Sequence, residues 1–197
     1  MSHLIIDTST PYYLCIIATH ETIQFAHLER YPSREASGLF VEKVFEGLGS
    51  LNLTASSLSA IILTHGPGSL TALRTGISLA QGMASAQQLP VYVLGSMALY
   101  AHAVKRPVLM DARCGYFYHY QRMNEIYPVM RDMSEMASLT GEFAVAGDWP
   151  FSGDYDQVLT EDHISDLHRA AFDLIQKVNP VSASDVSAFY LKPAVRQ

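Results

Sequence analysis

Apolar residues recur along this chain at two different periods. Between residues 3 and 30, short runs rich in β-branched and aromatic side chains, HLIIDTS, YYLCIIAT and TIQFAHLER, are separated by turn-prone TP and HE pairs. That pattern predicts three consecutive strands in an antiparallel meander. The period then changes. In SREASGLFVEKVFEGLG, Val41, Val44, Phe45 and Leu48 recur at helical spacing, with Gly47 and Gly49 near the end, which predicts a helix over about residues 34–48 with those four on its core stripe. On that phase Phe40 falls about 100° to one side and Leu39 nearly opposite, so both stand off the core.

LSAIILT is a short continuous apolar run of the kind buried on both faces of a sheet. It empties into a Gly/Pro turn, beyond which a helix is predicted from about Ser69 to Gln87. A strand, VYVL, and a helix, SMALYAHAV, follow. The order βββαβα with a further βα unit predicts a mixed sheet covered by helices, an α/β architecture. After Pro107, RPVLMDARCGYFYHYQRM reads as two strands around a Cys-Gly turn, and a soft boundary near residue 106 divides a first domain, residues 1–106, from a second, 107–197. One strongly amphipathic helix is expected within TEDHISDLHRAAFDLIQKV, with Ile164, Leu167, Ala171, Leu174 and Val178 on its stripe. No internal repeat is visible.

Composition narrows the class. Nearly half the residues are apolar and 16% are charged, which fits a globular fold and disfavours disorder. No window approaches the roughly 20 apolar residues of a membrane span, and no targeting segment opens the chain, so a cytoplasmic protein is expected. Residues 1–110 carry six basic and six acidic side chains, so the net charge of −6 lies in the remainder. Without a clustered basic face, tight direct binding of RNA or DNA is disfavoured.

Candidate chemistry gathers at two turns. Asp7 ends an apolar strand and is followed by Thr8 and Ser9, a group able either to present a carboxylate to a metal-bound phosphate or simply to tighten a hairpin. The loop GPGSLT, with Gly66, Gly68 and Ser69, places backbone N–H groups at a helix N-terminus, where an anion could sit. It is not a P-loop, because no GK[ST] follows. A strand-to-helix turn that uses glycine for positive φ and Ser69 as N-cap explains it equally well. Asp111 and Arg113 follow a strand and either pair with each other or touch a ligand.

The helix after the loop carries Ala72, Gly76, Ala80 and Ala84 every four residues, with Ile77 beside them, and Ser78, Gly82 and Ala86 on a second ridge. Such ridges allow another backbone to approach closely, either inside the domain or from a partner. Phe40 and Leu39 would extend a partner surface. Metal chemistry is not expected, since His163 and His168 are five residues apart, about 140° around a helix. No nucleophile elbow occurs, and the two cysteines, Cys15 and Cys114, form no metal spacing.

LIIDTST, GPGSLTALRTGISLAQGMA and LMDARCGYFY, in this order and spacing, resemble the motifs of the bacterial TsaB family, formerly called YeaZ, and YLKP resembles its closing segment. Leu70 stands where phenylalanine is usual in that family, Ala72 where glycine is, Ala36 where histidine is frequent, and Tyr116 where glutamate is common. The resemblance implies an actin-like, Hsp70-like domain of the ribonuclease-H type with βββαβα topology, followed by a smaller α+β domain. It implies a non-catalytic scaffold that binds TsaD and, in a larger complex with the ATPase TsaE, supports transfer of a threonylcarbamoyl group to N6 of adenosine 37 in ANN-decoding tRNAs. tRNA would be met only through the complex, no cofactor is implied, and the same two helices could also form a homodimer.

On that basis the partner interface is expected at Phe40, Ala72, Gly76, Ile77, Ala80 and Ala84. Asp7, Gly66, Gly68, Ser69, Asp111 and Arg113 are expected to be relics of a phosphate site or turn formers. The glycine-poor AGDW and SGDY make an incomplete adenine loop. The rival reading is a small actin-like phosphotransferase that uses Asp7 for the metal-bound phosphate and the GPGS amides for the leaving group. A peptidase has neither nucleophile nor zinc pair to support it.

Overall fold

The computed structural model describes residues 1–31, 35–121, 127–151 and 155–189. The expected strands at the N-terminus form as β1 (Ser2–Asp7), β2 (Tyr12–Ala18) and β3 (Ile23–Arg30). They are followed by α1 (Ala36–Ser50), β4 (Leu58–Thr64), α2 (Leu70–Gln87), β5 (Val91–Leu94) and α3 (Ser96–Val104). These strands make one sheet of order β3-β2-β1-β4-β5. β1 runs antiparallel to β2 and parallel to β4, so that Ile5 faces Ile16 on one side and Ile62 on the other. The two central strands are buried at nearly every position because both of their faces are covered.

Leu4, Ile6, Ile61 and Leu63 point to one face and pack beneath α1 and α2. Ile5, Leu14, Ile16 and Ile62 point to the other, where they meet α3, the C-terminal helix α4 (Ile164–Ile175) and the second sheet. That second sheet comprises β6 (Val108–Arg113), β7 (Tyr116–Tyr120), β8 (Val129–Asp132), β9 (Ala144–Ala146) and β10 (Asp156–Gln157). Its order read from β8 is β8-β7-β6-β9-β10. β6 is antiparallel to β7 and parallel to β9, and β10 is parallel to β9.

This is the topology of the first sheet drawn again, strand for strand and direction for direction. The absence of a sequence repeat therefore concealed a structural one. In the second copy the last three strands are four, three and two residues long, too short to show a period of two. A 3₁₀ turn, Met133–Ser138, stands between β8 and β9 where the first copy has α1.

The chain passes from the first sheet to the second through residues 105–107, so a division at residue 106 falls between the sheets. It then returns. α4 packs on α3, β3 and β5, Val181 bridges Val91, and Val186 joins the layer under α2. Residues 164–189 thus pack with the first sheet. In α4 the buried positions are Leu167, His168, Ala170, Ala171, Phe172 and Ile175. Val178 lies beyond the helix and is exposed, so the expected stripe is extended too far. His168 is buried because its Nε2 lies 2.8 Å from the Thr19 carbonyl oxygen, capturing a partner inside the protein.

The expected phase of α1 is corrected. Its buried residues are Ala36, Phe40, Val44, Gly47 and Leu48, whereas Phe45 is 50% and Leu39 38% exposed. Phe40 is fully buried, with its ring centroid 5.3 Å from that of Tyr13 and 6.5 Å from that of Tyr31. Gly47 sets this rotation, since a Cβ there would stand 2.6 Å from the Phe25 ring, so the helix presses its glycine against β3. A hydrophobic pattern gives glycine no weight and so turns the helix the wrong way.

Candidate functional site

Asp7 ends β1 fully buried, and its carboxylate is saturated by neutral donors. Oδ1 accepts from the Ser9 amide at 2.9 Å, the Ser9 hydroxyl at 2.8 Å and the Thr64 hydroxyl at 2.6 Å. Oδ2 accepts from the phenol of Tyr100 on α3. Burial, and then the neighbouring Asp7 charge, raise the Tyr100 pKa well above its ordinary value, so the phenol stays a donor. The carboxylate joins β1, β4 and α3 and has no free face for a metal-bound phosphate. Among the described residues no cluster of His, Cys, Asp or Glu is placed to hold a metal ion.

The loop before α2 is shaped by its contacts. Gly66 has φ +117° and precedes a cis peptide bond to Pro67. Its carbonyl accepts from the Ser96 amide at 2.9 Å, and its amide donates to the Ser96 hydroxyl at 3.2 Å. Gly68 serves another purpose, because a Cβ there would lie 2.1 Å from the Ser9 carbonyl oxygen. The Ser69 amide donates to that same oxygen at 3.0 Å and is therefore spent. Ser69 occupies the N-cap position but makes no side-chain cap bond, which departs from the expected capping role.

Gly68, Ser69, Asp111 and Arg113 do come together, in the wall of a cavity of about 460 Å³ between the two sheets. Asp7 and Gly66 are not in that wall. Tyr13, Tyr31, Leu70, Met110 and Tyr118 make much of it apolar. Asp111 is occupied by its own turn, accepting from the Arg113 amide at 2.8 Å and lying 3.5 Å from its guanidinium. Arg113, Cys114 and Gly115 all take positive φ, so these residues form the hairpin between β6 and β7. AGDW forms the end of β9 and the turn after it; most of SGDY, and YLKP, lie outside the described residues.

The expected interface residues on α2 are also corrected. Ala72, Gly76, Ile77, Ala80 and Ala84 are buried within the chain itself. The Thr8 hydroxyl donates to the Ala72 carbonyl at 2.7 Å, and a Cβ on Gly76 would sit 2.6 Å from Thr8 Oγ1 and 3.2 Å from Ile6 Cγ2. That ridge brings α2 close to β1. Phe40 likewise faces inward.

The outward face of this layer has other residues. Ser78, Gly82 and Ala86 are exposed on α2, together with Arg74. On α1, beside it, Phe45 and Leu39 stand in solvent. Gly38 and Gly82 have open space where a Cβ would be. The second small-residue ridge, not the first, is therefore the one that another backbone can reach. Only the relative phase of the two ridges against the sheet separates them, and the sequence pattern lacks that information.

A mixed sheet of order 3-2-1-4-5, with its first strand antiparallel to the second and parallel to the fourth and helices linking the parallel strands, defines the ribonuclease-H-like, actin-like class. The chain belongs to the family described as TsaD, tRNA N6-adenosine threonylcarbamoyltransferase, whose model matches residues 33–161. Within it the likeness is to TsaB. The chain is 29% identical over 140 residues to the tRNA threonylcarbamoyladenosine biosynthesis protein TsaB of Haemophilus influenzae, covering 71% of this chain and 58% of that one. It is 30% identical over 131 residues to TsaB of Escherichia coli, covering 62% and 56%. It thus spans little more than half the length of these curated relatives.

Among solved structures, YeaZ from Pseudomonas aeruginosa has the same fold, with a TM-score of 0.70 at 20% identity over 96% of this chain and 99% of that one. So does a protein described as uncharacterized with similarity to peptidase YEAZ from Pseudomonas aeruginosa, with a TM-score of 0.75 at 22% identity over 97% and 99%.

Proposed function

We propose that this chain is a non-catalytic scaffold that docks a TsaD subunit through the outward face of α1 and α2, in support of threonylcarbamoyladenosine formation at adenosine 37 of ANN-decoding tRNAs. The observation that carries this reading is the contrast between two surfaces. On the outer helical layer, Phe45 and Leu39 lie exposed beside bare glycine backbone. At the end of β1, the carboxylate that phosphoryl chemistry would need is locked to Ser9, Thr64 and Tyr100.

Apolar surface beside glycine suits helix-on-helix packing, because small residues let helix axes approach and a neighbouring aromatic fills the groove. Burying a phenylalanine already half covered contributes on the order of 1 kcal/mol, and an anchor of that kind needs several such neighbours to hold a stable pair. The same face could pair two copies of this chain. TsaE would join the larger complex, and tRNA would be gripped by other subunits, since the net charge of −6 gives this chain no electrostatic hold on a phosphate backbone.

Size-exclusion chromatography of the chain with and without TsaD from its own organism tests the proposal. Co-elution as a heterodimer is expected, and separate elution at micromolar concentrations of both proteins would defeat it. Calorimetry of the isolated chain with Mg-ATP should give no binding heat; micromolar affinity would favour a phosphotransferase instead.

A further inference from the structure

A charged contact joins the two sheets at the wall of the cavity between them. Arg30, the last residue of β3, reaches from the first sheet to Asp148, two residues beyond β9 in the second. Its Nε donates to Oδ1 at 3.2 Å and its Nη2 to Oδ2 at 2.9 Å, two parallel bonds that fix orientation as well as distance. Next to it, Gly147 is buried with φ +77°, and a Cβ there would stand 3.1 Å from Thr10 Cβ. The turn after β9 therefore seats directly on the turn between β1 and β2. That seat is firm, because the Thr10 hydroxyl donates to the Tyr12 carbonyl at 3.0 Å and accepts from the Tyr12 amide at 3.1 Å. Thr10, Gly147 and Asp148 all line the cavity, as does Tyr31, which follows Arg30.

Elsewhere the sheets are joined by apolar packing, with Leu14 and Tyr100 in one cluster with Val108, Met110 and Tyr118. The two kinds of joint respond differently to solvent. Apolar packing does not weaken in simple salt, whereas an ion pair whose side chains are 55% and 37% exposed is screened as the Debye length shrinks.

We propose that Arg30 and Asp148 form a salt-sensitive clasp that fastens the two sheets beside the cavity, and that its release swings the Gly147 turn off Thr10 and opens the cavity. The apolar joint through α3 is the hinge on which this happens. Ala36, Leu70 and Thr71 belong to the same cavity wall, so opening reaches the first turns of both outer helices. The clasp is independent of the docking proposal, since neither of its residues lies on the outward face of α1 or α2.

Amide hydrogen exchange on the full chain tests it, using Arg30→Asp, Asp148→Arg and the double exchange of charges. At about 0.05 M salt each single change should speed exchange at residues 147–149 and at Ser9 and Thr10 about two- to fivefold, the range an exposed pair supports. The double exchange should restore protection, and about 1 M salt should speed exchange in the unaltered chain while slowing it in the single variants, whose like charges it screens. Leu99 and Tyr100, in the α3 joint, should keep their rates throughout. Single variants that leave residues 147–149 unchanged would overturn the clasp, as would acceleration that persists in the double exchange or spreads to Leu99 and Tyr100.

Discussion

Tyr100 and Asp7 form a fully buried polar pair at the end of β1. The phenol donates to a carboxylate with no access to water, and such a carboxylate is tolerable only while its lone pairs are filled. Tyr100→Phe keeps the ring and removes the donor, so urea unfolding should register a loss of about 1–3 kcal/mol. An unchanged midpoint would mean that the phenol is dispensable. A second consequence concerns alkaline pH. Burial pushes the Cys15 thiol from 9.0 up to about 12 and the Tyr31 phenol from 10.0 up to about 12, and it raises Tyr100 as well. The unfolded chain therefore releases these protons from about pH 9 while the folded chain holds them. More protons on the native state means that stability falls as pH rises through this window. Denaturant midpoints should decline steadily between about pH 9 and 12, and Cys15→Ala should delay the onset by removing the group that titrates first. A flat profile would contradict the buried state of the thiol and phenols.

At the scale of elements, glycine has three different meanings in and beside α2, and each predicts a different outcome for alanine. Gly68 leaves no room, with backbone 2.1 Å from the would-be Cβ, so Gly68→Ala should displace the loop and prevent stable folding. At Gly76 the obstacle is the side chains of Thr8 and Ile6, and a loss of about 1–3 kcal/mol is expected from overpacking. Gly82 faces open space, and Gly82→Ala should stabilise the helix by about 0.5–1 kcal/mol. Thermal unfolding of the three variants should give that order, and a destabilised Gly82→Ala would show that the outward face has been misassigned.

Much of this level was legible in the sequence. Strands β1 to β7 and helices α1 to α4 sit close to their expected places, because long periodic runs and turn residues mark them. The rotation of each outer helix was not legible. Val41, Val44, Phe45 and Leu48 score well as a stripe, but Gly47 against Phe25 selects the face holding Phe40. The Ala72, Gly76, Ala80 and Ala84 ridge is chemically indistinguishable from Ser78, Gly82 and Ala86 until the sheet is in place. Asp7, Gly68, Ser69, Asp111 and Arg113 were each singled out, but not the bond from Tyr100 to Asp7, since 93 residues separate the partners.

The whole molecule is a doubled plan with one well-developed copy. The first sheet has both faces covered by helices, whereas the second repeats the strand order with short strands and a 3₁₀ turn. β8, β9 and β10 escaped the sequence pattern for that reason, and the doubling with them. The return of α4 to the first sheet also depends on contacts that no local pattern encodes, such as His168 with Thr19. On the proposed reading, the outward face of α1 and α2 is the surface for assembly.

Isothermal titration of TsaD from the same organism with the unaltered chain, Phe45→Glu and Gly82→Arg measures this most directly, with thermal unfolding confirming that each variant is folded. Saturable binding is expected for the unaltered chain, and at least about tenfold weaker binding, about 1.4 kcal/mol, for each folded variant. Equal affinity for all three would contradict the assignment of the outward face of α1 and α2 as the docking surface.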